Sequence, residues 1–319
     1  MSGNLSGRVL YGVNNIYTIA LAGNEDEGER KLLCRIKGKI LKADDDPEQN
    51  YYNPIAVGDI VTVVPDSHSP DEGVITDRLE RKNALIRWNR KKKLPQVLAA
   101  NVDLLAALTS VQSPPFRPRF LDRLIITGLL DGIKPMIIAN KNDLETSAGT
   151  EERLSVYESL GYSVFRCSVK ERKGIDEIVS FIGGRTTVFA GQSGVGKSSL
   201  LNAIEPGFNL QVGDISLKHD RGAHTTNYAI MLSTGNGTRL IDTPGIRECW
   251  IHGLDSDQLR FHFPEFQEPA RECAYTSCLH LNEPGCRVIE MVDAQEIHPD
   301  RYESYVRIYE SLSEREGDY

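Results

Sequence analysis

At 319 residues the chain exceeds a single small domain, and its 40% hydrophobic and 26% charged residues exclude a disordered polymer. No apolar run approaches the roughly 18–20 residues that span a bilayer, and the amino terminus lacks a signal-like layout, so a cytoplasmic protein without membrane contact is expected. A formal charge of −8 excludes a generic nucleic-acid binder, so any RNA contact must come from a local patch.

From about residue 7 to 80 short apolar runs alternate with turn residues. Arg8–Tyr11, Ile16–Ala20, Leu32–Ile36 and Ile60–Val64 read as strands of a small β-barrel or sandwich. Val57–Val61 reads as a turn feeding the strand that closes it. The acidic stretches Asn24–Glu29 and Asp44–Asp46 fit solvated loops. Between Arg78 and Lys93 the charge reverses, with Arg78, Arg81, Lys82, Arg87, Arg90, Lys91, Lys92 and Lys93 facing the single acid Glu80. That segment reads as an interdomain linker and a candidate RNA patch, with Trp88 as a stacking surface.

From Asn101 the texture becomes α/β. Strands are expected at Val102–Leu108, Pro135–Ala139, Ser163–Arg166, Thr187–Ala190, Tyr228–Leu232 and Thr238–Ile241. Helices are expected at Phe120–Leu130, Glu151–Leu160, Ile175–Ile182 and Ser199–Ile204. Each polar cluster of interest falls just after a strand, where open parallel sheets bind their ligands.

Gly191, Gln192, Ser193, Gly194, Val195, Gly196, Lys197 and Ser198 fit the phosphate-binding loop pattern, with Ser199 opening the helix behind it. The glycines let backbone N–H groups turn toward phosphate oxygens, and the helix adds its positive end. Lys197 would reach the β- and γ-phosphates, and the Ser198 hydroxyl would ligate Mg²⁺. Asp242 and Gly245 of the DTPG run would hold Mg²⁺ through water and meet the γ-phosphate through an N–H. Asn140, Lys141, Asn142 and Asp143 would select the base. The Asp143 carboxylate accepts from the two donors on one edge of guanine, a pair that adenine lacks. Asn140 would brace the site, the Lys141 stem would cover the ring, and Ser168 would add backbone contacts at the guanine oxygen.

Near the carboxyl end, Cys273, Cys278, His280 and Cys286 supply three thiols and an imidazole at the spacing of a closed structural zinc site. Cys34, Cys167 and Cys249 would remain free thiols. Ala294–Leu312 reads as one helix, with Tyr302, Tyr305, Val306, Tyr309 and Leu312 on its packing face.

The order NKND, CSVK, GQSGVGKS, DTPG places the base-selecting elements before the phosphate loop, the reverse of common GTPases. With AANVD at Ala99–Asp103, GAHTT at Gly222–Thr226 and the terminal cysteines, the chain resembles the RsgA/YjeQ family of circularly permuted GTPases over nearly its whole length. The resemblance implies a multidomain α/β protein: an OB-fold barrel over 1–87, a permuted P-loop GTPase over 88–250 and a zinc-binding helical unit over 251–319. It also implies GTP hydrolysis to GDP, with the 30S ribosomal subunit and its 16S rRNA as partners. The stretch before Asn227 would be the first switch, with Thr225 or Thr226 closing on Mg²⁺. Ile246 follows Gly245 where many GTPases carry a water-orienting Gln, which leaves His224 as the candidate for that role. Nothing demands more than a monomer.

Overall fold

The computed structural model describes residues 4–22, 30–37, 51–210, 229–244 and 249–316. Its first five strands are β1 (Leu5–Val13), β2 (Ile16–Leu21), β3 (Lys31–Ile36), β4 (Ile60–Pro65) and β5 (Glu72–Arg78). They pair β1–β2–β3–β5–β4, and β4 returns to β1, giving a closed OB-like barrel. Period-two alternation fills the interior with Val9, Ile19, Leu32, Cys34, Val61, Val63 and Ile75. As expected, β4 closes the barrel just after the Val57–Asp59 turn. There the buried Asp59 accepts from the Ala56 N–H at 2.8 Å and holds the Arg81 guanidinium at 2.7 Å.

The basic segment is not a linker. It enters a hairpin, β6 (Ala84–Asn89) with β7 (Leu94–Ala100), whose turn carries Arg90–Lys93. Several of its cations have partners: Lys82 with Asp103 at 3.1 Å, Arg87 with Gln96 at 3.2 Å, and Arg90 over the Trp250 ring at 4.4 Å. Trp88 is stacked on His252, with ring centroids 5.9 Å apart, and is therefore no free stacking surface.

The α/β region comprises β8 (Leu104–Ser110), α1 (Pro118–Leu130), β9 (Lys134–Asn140), α2 (Ala148–Ser159), β10 (Ser163–Arg166), α3 (Ile175–Ile182), β11 (Thr186–Gly191), α4 (Lys197–Ile204), β12 (Ile230–Ser233) and β13 (Arg239–Asp242). Strand order is β10–β9–β8–β11–β13–β12, parallel except for β12. The middle strands β8 and β11 are buried on both faces, which is why they read as continuous apolar runs. Their alternate residues serve two cores. Leu105, Ala107 and Val188 meet Leu121, Leu124 and Leu154 of α1 and α2; Leu104, Ala106 and Phe189 meet Ile178 and Leu200 of α3 and α4. The edge strand β12 continues into the barrel, with Tyr11 of β1 opposite Ile230.

The carboxyl end packs short 3₁₀ segments against α5 (Arg287–Asp293) and α6 (Pro299–Glu316). The helix expected over Ala294–Leu312 is α6, which starts five residues later, at Pro299, while α5 ends before Ala294. Gln295 takes φ 61, which no helix continues through, and Pro299 starts α6 because its fixed φ and missing N–H suit a first turn. The tyrosine face packs as expected: Tyr305 stands edge-on to Phe263 and Phe266, with centroids at 5.2 and 5.0 Å. Ile126 of α1 joins this core, so α1 is shared with the α/β region. No described helix is long and apolar enough to cross a membrane.

Candidate nucleotide site and Cys/His cluster

The phosphate loop leaves β11 and returns into α4. Gly194 and Gly196 take φ of +83 and +93, and a Cβ on Gly196 would stand 2.3 Å from Asn140 Nδ2, so only glycine fits there. The close approach serves a hydrogen bond, in which Asn140 Nδ2 donates to the Val195 carbonyl at 2.9 Å. Next to it, Lys141 Nζ donates to the Gly194 carbonyl at 2.7 Å and also meets the Ser113 carbonyl. The element expected to read the base therefore braces the loop expected to hold phosphate.

Asp143 lies at the end of the same run. Its Oδ1 accepts from Ser168 Oγ at 2.6 Å, and Lys170 Nζ stands 3.6 Å from Oδ2. The Ser168 hydroxyl and then the Lys170 ammonium keep this carboxyl below its ordinary range, so it is an acceptor at neutral pH. The Ser168 amide itself donates to the Lys173 carbonyl at 3.0 Å, so the residue reaches the site through its side chain. Asn142 is exposed, and its N–H donates to the Cys167 carbonyl at 3.0 Å. Burial pushes the Cys167 thiol up to about 12, which leaves it inert.

Lys197 and Ser198, at the start of α4, are buried, whereas Gln192 and Ser199 are half-buried and Ser193 is exposed. Lys197 Nζ pairs with Asp242 Oδ1 at the end of the neighbouring strand β13. Burial pushes the Lys197 ammonium down to about 8. Thr243 Oγ1 donates to the Phe189 carbonyl at 2.7 Å and pins the first turn after β13. His224, Thr225, Thr226 and Gly245 lie outside the described residues.

The second cluster stands apart. Ligand atoms of Cys273, Cys278, His280 and Cys286 all lie within 4.8 Å of one another. His280 Nδ1 is 3.4 Å from Cys286 Sγ and 3.7 Å from Cys273 Sγ, and the two sulfurs are 4.0 Å apart. Tetrahedral bonds of about 2.0–2.3 Å demand ligand separations of about 3.5–3.8 Å, so the donor set fits zinc. Burial and the nearby Arg260 lower the His280 pKa, which favours the neutral imidazole a metal needs. Burial and the neighbouring thiols push Cys278 up to about 12, a penalty that a bound cation would remove.

Several supporting residues carry no sequence signal. Glu283 accepts backbone N–H bonds from Leu279 at 2.7 Å and Leu281 at 2.9 Å, organising the loop between the ligands. Asp122 of α1 receives Arg301 of α6 and Arg153 of α2 in the interior. Asp122, Arg153 and Arg301 are revealed only by their burial, and Glu283 only by its backbone partners.

A mostly parallel sheet with a glycine loop after its central strand, an Asn–Lys–Asn–Asp run bonded to that loop and a strand-end aspartate defines a P-loop nucleotide-binding protein of the GTPase class. The RsgA GTPase family model matches residues 78–252. Curated proteins named small ribosomal subunit biogenesis GTPase RsgA are similar along most of their length. The one from Borrelia recurrentis is 39% identical over 95% of this chain and 93% of its own. The one from Chlorobaculum tepidum is 39% identical over 89% and 92%. Among solved structures, YjeQ from Thermotoga maritima superposes with a TM-score of 0.73 at 29% identity, covering 97% of this chain and 99% of that one. YloQ, described as a circularly permuted GTPase, gives 0.68 at 27% identity over 98% and 96%. The chain belongs to the RsgA GTPase family, whose members are hydrolases acting on GTP.

Proposed function

We propose that the chain binds GTP with its phosphates on Gly191–Ser199 and its guanine on Asn140–Asp143 and Ser168, and hydrolyses it to GDP and phosphate. The observation that carries this is the brace from Asn140 and Lys141 to the Val195 and Gly194 carbonyls. It joins base reader and phosphate loop into one cradle although their order in the chain is reversed. Mg²⁺ would be held by Ser198 and by Thr225 or Thr226, with Asp242 acting through water, and would supply charge neutralisation at the phosphates. The Lys197–Asp242 pair supports this, since it sets a buried ammonium and a buried carboxylate side by side at the ends of α4 and β13, the charges that phosphate and Mg²⁺ require. Gly245 would sense the γ-phosphate and His224 would orient water. Zn²⁺ in the Cys273, Cys278, His280 and Cys286 cluster would be structural.

The nucleotide state would govern release from an immature 30S subunit in the cytoplasm, with the exposed Arg90–Lys93 turn contacting 16S rRNA. We assign three units, 1–87, 88–250 and 251–319, acting as a monomer. Titrating GTP hydrolysis against 30S, with 50S as control, tests the reading. Stimulation by 30S alone is expected, and its absence would sink the ribosome coupling. Competition by ATP would point instead to an ATP-using enzyme. Absence of phosphate release with 30S present would point to a nucleotide-holding scaffold.

A further inference from the structure

An open cleft of about 640 Å³ lies where the start of α1, the phosphate loop and the first turn of α6 approach one another. Small-molecule sites occupy roughly 300–1,000 Å³, so the space is of ligand size. Phe116, Phe120 and Trp250 give it aromatic walls, and Gln192 brings the phosphate loop to its lining. Trp250 is fixed there, since the Trp88 N–H donates to its carbonyl at 3.0 Å and Arg90 covers its ring at 4.4 Å. The charges of the lining do not balance. Arg119 is paired with Glu303 at 2.5 Å, and the one carboxylate of the cleft, Asp300, lies 3.4 Å from Arg153 Nε. Arg123 is half-buried, yet its guanidinium donates to the neutral Ser311 Oγ at 2.8 Å and forms no ion pair among the described residues. Burial lowers its pKa with no carboxylate opposing the effect. Arg117 is exposed and has no ion pair among the described residues either.

We propose that this cleft is a second nucleotide-binding site, which takes a nucleoside monophosphate unit with its base among Phe116, Phe120 and Trp250 and its phosphate on Arg117 and Arg123. A phosphate supplies the negative charge that these guanidiniums lack, and their paired N–H donors match its oxygens. A planar base suits aromatic walls, on which any base can stack. A bare anion would leave the rings unused, and an apolar ligand would leave a half-buried cation without a counter-charge. The first turn of α1 carries no acidic residue to compete with the phosphate. Of the cradle assigned to GTP, Gln192 lines the cleft whereas Asn140, Asp143, Lys197 and Ser198 do not, so the two sites are neighbours and not one. The unit arrives either as a free nucleotide or as one nucleotide of a single-stranded RNA, since both present the same base and phosphate.

The chain has two tryptophans, so Trp88→Phe leaves Trp250 as the sole emitter, in the wall of the cleft. The full-length Trp88→Phe protein, with saturating GDP and Mg²⁺, is titrated with adenosine monophosphate, inorganic phosphate and single-stranded hexaadenylate. Equilibrium dialysis of radiolabelled adenosine monophosphate against the wild type counts sites independently of emission. Saturable quenching and one bound adenosine monophosphate per chain are expected, with inorganic phosphate about tenfold weaker for want of stacking. Arg117→Gln, a change at an exposed position, should weaken adenosine monophosphate by about tenfold or more without altering the unfolding midpoint. Hexaadenylate that binds more tightly and is displaced by adenosine monophosphate supports the site with RNA as its source. Binding of the mononucleotide that the oligomer does not match supports it with a free nucleotide as the source. Absence of bound label, phosphate binding as tight as the nucleotide, or affinity indifferent to Arg117→Gln would each overturn the proposal. Binding abolished by Lys197→Ala but retained in Arg117→Gln would move the ligand to the phosphate loop and overturn it as well.

Discussion

Asp122 of α1 and Arg301 of α6 meet at 2.5 Å inside the protein, and Arg153 of α2 approaches the other carboxylate oxygen at 2.7 Å. Arg301 in turn holds Glu265 at 2.6 Å, and Tyr157 donates to Asp122 at 2.5 Å. One carboxylate thus joins two helices of the GTPase region to the carboxyl-terminal unit. Its removal leaves two buried guanidiniums undercompensated, which costs about 3–5 kcal/mol. Asp122→Ala should lower the urea midpoint accordingly, and the tryptophan and far-UV transitions should separate as the carboxyl-terminal unit loosens first. Burial alone would raise this carboxyl, but Arg301 and Arg153 outweigh it and hold it below the ordinary range. The stabilisation is therefore complete above the unfolded value of about 3.9 and is lost as pH falls below it.

Asp131 behaves in the opposite sense. Burial pushes it up to about 7, and the Ile86 N–H of the hairpin donates to its Oδ2 at 2.7 Å. The folded state keeps a proton that the unfolded chain releases near 3.9, so stability falls as pH rises from about 4 to about 7. Asp131→Asn keeps an acceptor for Ile86 but cannot ionise. Urea melts at pH 5 and pH 8 should show a decline in the wild type that the variant lacks, with the variant the more stable at pH 8.

The loop of the Cys/His cluster is held by Glu283. Burial would raise its carboxyl, yet the N–H groups of Leu279, Leu281 and Asn282 more than reverse this and hold it at about 2. The loop so fixed carries His280, whose φ of 59 needs that support. Glu283→Ala should weaken zinc binding by about 10–100-fold, as loss of a supporting shell does. Competition with a chromophoric chelator measures it, and the purified wild type should carry one zinc per chain.

In the proposed reading base selection rests on Asp143, whose Oδ1 accepts from Ser168 Oγ. Asp143→Asn replaces an acceptor pair with a group that also presents donors to the guanine N–H groups. The loss of a charge-assisted interaction of about 1.5–3 kcal/mol corresponds to roughly 10–150-fold weaker GTP binding. Xanthine nucleotide, which presents an acceptor on that edge, should be weakened less or gain. Competition against labelled GDP discriminates the two.

The phosphate loop, the NKND run and the cysteine cluster were legible because their chemistry is written at short, fixed spacings. Of the barrel, β1 to β4 were readable as apolar runs. β5 escaped because its buried positions are only Gly73 and Ile75, and its run Gly73–Ile75 is just three residues between Glu72 and Thr76. The β6–β7 hairpin was hidden by its own turn: Arg90–Lys93 contains no glycine or proline, and Lys93 supplies the left-handed φ of 51 instead. The docking of Trp88 on His252 and the Asp122 network are long-range coincidences of burial, and no local pattern encodes them.

A GTPase sheet that begins at β8 and ends at β13 leaves two loose chain ends on either side of β11, where an ordinary order would have a continuous connection. Here the hairpin that precedes β8 and the segment that follows β13 find each other, and the Trp88–Trp250 hydrogen bond closes the ring that the permutation opened. A severed covalent link has been replaced by a seam, and the seam recovers part of the loop entropy that the cut released. Unlike a peptide bond, a seam can be unfastened and refastened within the lifetime of the folded protein.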